Sequence, residues 1–437
     1  MLPRYTLPEM RKLWSEETKF GTWLNVELAM IRARINPELF GIAQKIEKYA
    51  KFDLNRIAEL EEIYEHDMIA FVECVQESLK DTEVREWAHE IHKGLTSYDV
   101  EDPALILILR QACIYIIEEI DKLGDALRKK ASEHKDMLMI ARTHGQFAEP
   151  DTFGRLLKVF EEAIMRSSIR LTNVLEDELA EAKISGAVGN YAGMDPLLEA
   201  KALGFLGLKP ARAETQILQR DRHAAFLCAL ALAASSIGQM AKTFWQMMRS
   251  DVGELQEPRK PKQRGSAAMA HKINPIKTEQ LFGLSRLVRV YAHVAMEDIE
   301  TIECREISQS SVERHIFPDA TSLVHYMARR ATTLVRDLVV FEDKMADNLE
   351  QSTFGVWASQ RIRNALMDSG VPYSEAYEFI QAACFEAVKT KTPLKRILFG
   401  KNVGERKFKD ILTNLTVAKC FNAYDYVAAG VAHTFRD

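Results

Sequence analysis

The stretch ILILRQACIYIIEEIDKLGDAL, residues 106–127, decides the fold class. Its apolar residues Ile106, Leu109, Cys113, Ile116, Ile120, Leu123 and Leu127 recur at alternating intervals of three and four. That spacing lays them along one stripe of an α-helix, the seam by which long helices pack at shallow angles. A second set, Leu227, Leu230, Ala234, Ile237, Ala241, Phe244 and Met248, repeats the alternation, and weaker versions follow Phe153 and Leu323. No proline occurs between Pro103 and Pro150, Pro210 and Pro258, or Pro318 and Pro372. Because proline inside a helix costs ~3 kcal/mol, these gaps are where long helices are expected. Helices of roughly 25–30 residues are ~40 Å long, so the expected fold is an all-α bundle.

The second helix is rich in small residues (AAFLCALALAASSIG, residues 224–238). Small side chains allow close helix approach and burial on more than one side, which points to protomers packed bundle against bundle, with a large monomeric helical protein as the alternative. Three chain segments are expected: 1–95, mixed helical; 96–345, holding the long helices; and 346–437, shorter helices broken by Ser369-Gly370, Pro372 and Gly400.

Composition excludes several classes. With 58 basic and 63 acidic residues the net charge is −5, and no basic run offers a nucleic-acid surface. The longest unbroken apolar stretch, Ala224 to Ala234, falls short of the ~20 residues of a membrane span. MLPRYTLPEM has neither a cationic start nor an apolar core, so no secretory signal is expected and the chain is placed in the cytoplasm. The six cysteines form no CxxC pair and no zinc spacing, so no metal is expected. Walker, GxGxxG, HExxH and GxSxG patterns are absent, and with them the usual supports for nucleotide hydrolysis, dehydrogenation, metalloproteolysis and serine hydrolysis.

Four polar, glycine-containing or serine-rich segments interrupt the helices. In GLTSYD (94–99), Thr96, Ser97 and Asp99 suit helix capping, and the same hydroxyls suit a carboxylate held at a helix N-terminus. In ARTHGQFAEP (141–150), His144 stands at a helix break beside Thr143; a structural histidine and an acid–base histidine both fit. Residues 257–275, EPRKPKQRGSAAMAHKINP, have little capacity to form a core, and read either as a solvated linker or as a segment that moves for a purpose. ECREISQSSVER (303–314) sets Arg305 and Arg314 around serines, a donor set for a phosphate or a solvated helix end.

Taken together these segments resemble the fumarase/aspartase superfamily. GSAAMAHKINP (265–275) is similar to its mobile signature loop, and RYTLPEM (4–10), HD (66–67), GLTSYD, ARTHGQFAEPDTFG (141–154), SGAVGNYAGMDP (185–196), TQILQRDRH (215–223) and REISQSSVER (305–314) follow in the family's order. Within the superfamily the set looks closest to the branch that splits succinyl-nucleotides, releasing fumarate and AMP. The resemblance implies a central long-helix bundle, a homotetramer whose active sites are shared between protomers, no cofactor, and β-elimination. It implies that Ser266 is the base, His144 the acid, and Glu279 the carboxylate that orients a histidine, with His66 supporting binding or protonation at the leaving group. Lys272 and Asn274, with Thr96 and Ser97, would steady the carboxylate of the carbanion-like intermediate, and Thr143 would line the same site. Arg4, Tyr5, Arg305, Ser310 and Arg314 would contact the phosphate, Asp67 and Gln216 the base and ribose, and His92 would have a smaller role. His89, His134, His223 and His271 are read as structural or surface residues.

Ala267, Ala270 and Ile273 stand where the signature loop commonly has serine, proline and arginine, and Glu65 stands where an arginine often precedes the HD pair. Two other readings follow from these departures. One is the same elimination on another substrate, such as argininosuccinate or a cycloisomerase-type dicarboxylate. The other is a helical scaffold without catalysis.

Overall fold

The computed structural model describes residues 1–35 and 40–436 and is all-α. Its longest helices are Ser97–Glu133, Phe153–Glu176, Asp221–Met247, Ile276–Glu297 and Ser308–Arg336. Every seam residue from Ile106 to Leu127 is fully buried, and so are Leu227, Leu230, Ala234, Ile237, Ala241 and Phe244. Met248 falls just past its helix and is half-buried.

Two expectations change. Pro103 and Pro318 lie inside helices and do not bound them. Pro103 lies in the second turn of its helix and Pro318 about three turns into its own; each removes the single amide that would bond back to Asp99 or Arg314, and the helix continues past it. Short strands also occur among the described residues, as two-stranded ribbons. The longest pairs Leu138–Thr143 with Gln146–Thr152, so His144 stands at a β-turn and not at a helix break. Asp221–Met247 is long and apolar enough to cross a membrane by length and composition, but 67% of its most apolar window is buried within the chain, as in a core helix.

The contacts group the chain into two units, each built from three stretches, while the division at about 95 and 345 remains a proposal about segments in chain order. The first unit comprises Met1–Lys122, Ile164–Gln239 and Gln280–Arg330. It holds the Ile106 to Ile120 seam and an aromatic cluster in which Phe20 meets Trp23 and Phe71 at 5.1 and 5.7 Å between ring centres. The second comprises Leu123–Ala163, Met240–Glu279 and Ala331–Asp437. Its core is built by the C-terminal helices, with Trp357, Ile362, Leu366, Ile380, Leu398 and Phe408 at its centre. Ile140 from the Leu138–Thr143 strand belongs to that same core. The strand packs on the Glu342–Glu350 helix, and Gln146–Thr152 packs on Ala423–Thr434. The C-terminal helices are thus the floor that carries His144.

Candidate active site

In the first unit, the GLTSYD segment opens the Ser97–Glu133 helix. The cap is made by a carboxylate: Asp99 accepts the Thr96 amide at 3.0 Å. Its other oxygen accepts Lys183 Nζ at 2.6 Å and the amides of Ser185 and Gly186 at 3.0 and 3.2 Å. Asp99 and Lys183 are both completely buried, so one acid ties GLTSYD to SGAVGN. Among the described residues the hydroxyls of Thr96 and Ser97 take no hydrogen bond, which leaves both for a ligand carboxylate.

Asp67 accepts from Arg314 at 3.0 Å and lies 3.5 Å from Lys19. Burial pushes the Asp67 carboxyl up, but the two cations outweigh it and hold the group below its ordinary value. Arg305 donates to Gln216 at 2.9 Å and stacks on the Tyr98 ring at 4.0 Å. A cleft of about 240 Å³ is lined by Lys19, Tyr98, Glu101, Ser310 and Arg314 over an apolar wall that includes Trp14, Trp23 and Phe317. Enclosure in this cleft, and the charges of Asp67 and Asp102, push Glu101 up to about 7. Burial likewise pushes Tyr98 to about 12 and Glu313 to about 7. Arg220, 2% exposed, fastens the TQILQR stretch beneath by bonding Glu313 at 2.7 Å and Asp102 at 3.0 Å.

His92 adopts a left-handed backbone (φ 60°), held by fully buried Glu27, which accepts its amide at 2.8 Å and bonds its ring Nδ1 at 2.7 Å. With Nδ1 so occupied, Nε2 is the ring nitrogen left for a ligand. His66 heads the Asp67–Leu79 helix with its ring half in solvent, 3.9 Å from Asp67. Arg4 is exposed, and Tyr5 packs edge-on against Tyr326 at 5.4 Å. Among the described residues, neither bonds to Arg305 or Arg314.

In the second unit, His144 and Gly145 form a two-residue hairpin turn with φ of 54° and 76°. Two left-handed residues in succession are what such a turn requires. His144 is exposed at the tip, and Thr143 precedes it, also exposed. The hairpin is anchored by Arg142, which lies against the Phe147 ring at 5.4 Å and bonds fully buried Glu254.

The signature loop folds tightly on itself. A Cβ at Gly265 would fall 2.0 Å from the Lys272 carbonyl, so only glycine fits there. Beside it, Ser266 Oγ accepts the amides of Ala268 and Met269 at 3.3 and 3.1 Å. Lys272, Asn274 and Glu279 line one cleft of about 760 Å³ together with His271 and Trp245. Ser266 and His144 do not line it. Glu279 accepts from the Trp245 indole at 3.2 Å, and among the described residues no histidine hydrogen-bonds to it.

Sequence reasoning gave candidate acids and bases but assigned no role to Lys19, Tyr98, Glu101, Asp102, Lys183, Glu254 and Glu257, which the structure places in the packing around these segments. Tyr98 lies inside GLTSYD and Glu257 opens the 257–275 segment; the other five lie in no segment that the sequence marks.

A family model described as lyase matches residues 5–290. The chain is 39% identical to adenylosuccinate lyase of Bacillus subtilis, covering 98% of this chain and 96% of that one. It is 42% identical to adenylosuccinate lyase of a Synechocystis strain, covering 90% of each. Among solved structures, a fumarate lyase from Mesorhizobium superposes with a TM-score of 0.87 at 23% identity, covering 99% of both chains, a likeness of fold.

Proposed function

The chain belongs to the adenylosuccinate lyase family of the fumarase/aspartase superfamily, and from that membership we propose how its residues carry the reaction. It is a carbon–nitrogen lyase that eliminates fumarate from succinyl-AMP, leaving AMP, and from succinylaminoimidazole carboxamide ribotide, within purine biosynthesis. The observation that carries the proposed mechanism is the pair of backbone N–H groups on Ser266 Oγ. A serine hydroxyl is a poor base until its alkoxide is stabilised, and donors already pointed at the oxygen supply that stabilisation without reorganising.

Ser266 Oγ, as the alkoxide, takes a proton from the carbon beside a succinyl carboxylate and becomes the hydroxyl. The electron pair left behind forms the fumarate double bond as the C–N bond breaks. His144, as an imidazolium, gives its proton to the departing nitrogen, and Lys272, Asn274, Thr96 and Ser97 hold the carboxylate on which charge gathers. Glu279 orients and charges a histidine, and His66 assists at the leaving group. The phosphate is taken by Arg4, Tyr5, Arg305, Ser310 and Arg314, and the base and ribose by Asp67 and Gln216, with His92 and Thr143 alongside. In this reading the enzyme is a cytoplasmic homotetramer, and the groups of one site come from neighbouring copies. That arrangement suits the small-residue Asp221–Met247 helix and would bring Glu279 a histidine partner, where within its own copy it bonds the Trp245 indole.

The test is direct. Purified protein mixed with succinyl-AMP should lose the substrate's ultraviolet absorbance as AMP and fumarate appear in equal amounts. No product at saturating substrate would overturn the reading.

A further inference from the structure

The Ile276–Glu297 helix follows directly on Pro275, and a proline at the capping position has no side-chain oxygen for the first free amides. Ile276 N–H bonds the Asn274 carbonyl at 2.9 Å, and Glu279 N–H bonds Pro275 at 3.2 Å. The two amides between them, Lys277 and Thr278, are taken at 3.1 and 2.7 Å by the carboxylate of Glu257. Glu257 is 3% exposed and precedes the whole signature loop. The Pro258 carbonyl next to it accepts Lys277 Nζ. Both ends of residues 258–275 are thereby fastened at one neck.

We propose that Glu257 is a positioning residue for the elimination. Acting through Lys277 and Thr278, it fixes Asn274 on one side and Glu279 on the other, and holds the neck from which the Ser266 loop works. A carboxylate borrowed from across the loop does what a local cap cannot, because it joins the segment leaving for Ser266 to the segment returning from it. This inference rests on the proposed roles of Ser266 and Asn274.

The experiment uses the full chain with E257Q, and with E257Q combined with P275S, which supplies a local cap to the same two amides. E257Q is expected to lower kcat by at least ~10-fold with KM little changed, since misplacing reacting groups by an ångström costs up to ~100-fold. The double variant should regain the denaturation midpoint but not kcat. Trypsin should cut after Lys262 or Arg264 faster in both variants than in the unsubstituted chain. An E257Q kcat equal to that of the unsubstituted chain would overturn the proposal, as would full recovery of kcat by P275S, which would reduce Glu257 to a helix cap. If the unsubstituted chain turned over no succinyl-AMP, the function would fall, while the trypsin rates would still decide the clamp: faster cutting upholds it, and equal cutting overturns it.

Discussion

Arg142 donates two guanidinium nitrogens to the fully buried carboxylate of Glu254, at 3.3 and 3.1 Å, two residues before His144. Asn348 adds a bond to the same carboxylate at 2.8 Å. Removing one partner of such a pair strands a buried charge and costs roughly 3–5 kcal/mol. Arg142→Ala should therefore lower the urea midpoint sharply and, in whatever fraction folds, depress kcat because the hairpin tip is no longer fixed. Arg142→Lys keeps the charge but loses the fork geometry, and should recover only part of either loss. A midpoint for Arg142→Ala matching that of the unsubstituted chain would refute the anchor.

Ser266→Ala removes the proposed base and leaves the loop's backbone amides without their acceptor. Loss of a positioned proton-transfer group predicts a fall of ~10²–10⁴ in kcat, with substrate still bound. Gly265→Ala is the complementary change. Its Cβ meets the Lys272 carbonyl at 2.0 Å, so the loop must open to admit a methyl group. Steady-state kinetics should find kcat lowered although no catalytic group has been removed.

Arg314 and Asp67 form a polar pair at 3.0 Å, with Lys19 as the second cation on the carboxylate. If Arg314 holds the substrate phosphate, Arg314→Ala removes a charge-assisted contact worth ~1.5–3 kcal/mol and should raise KM by ~10–100-fold. Titration calorimetry with AMP should record the same weakening. Unchanged AMP affinity would remove Arg314 from the phosphate site.

The bundle was legible because its seams obey one period, and those seams held further information at their ends. Extending the Ile106 stripe backwards by the same four and three gives Asp102 and Asp99, and extending the Leu227 stripe gives His223 and Arg220. All four are buried: Asp99 and Asp102 pair with Lys183 and Arg220, while His223 packs near Phe317. A charge in register with a buried stripe is therefore a sequence-readable signal for an internal ion pair. The β-hairpin under His144 was not readable in this way. Its strands are short, and its side chains are buried by C-terminal helices distant in sequence, so no local period announced it. Glu257 was invisible for a similar reason: its partners are backbone amides about twenty residues on, and amides carry no sequence signature.

Glu101 allows a pH test whose sign is fixed by its surroundings. Enclosure in the cleft, with Asp67 and Asp102 near, raises its carboxyl from 4.5 to about 7, only partly offset by Arg314 and Lys19. Between those values the folded chain holds a proton that the unfolded chain has released. Stability from this group is therefore present at acid pH, declines as pH rises from 4.5 to about 7, and stays reduced above that. Glu101→Gln cannot ionise, so it should melt close to the unsubstituted chain near pH ~4.5 and at a higher temperature than it near pH ~8. Glu313, pushed to about 7 by burial, titrates in the same window, so the comparison must be the difference between two melting curves at each pH and not the shape of either. A difference that stays constant from acid to alkaline pH would mean that Glu101 binds its proton equally in the folded and unfolded chains, the cations of the cleft cancelling its enclosure.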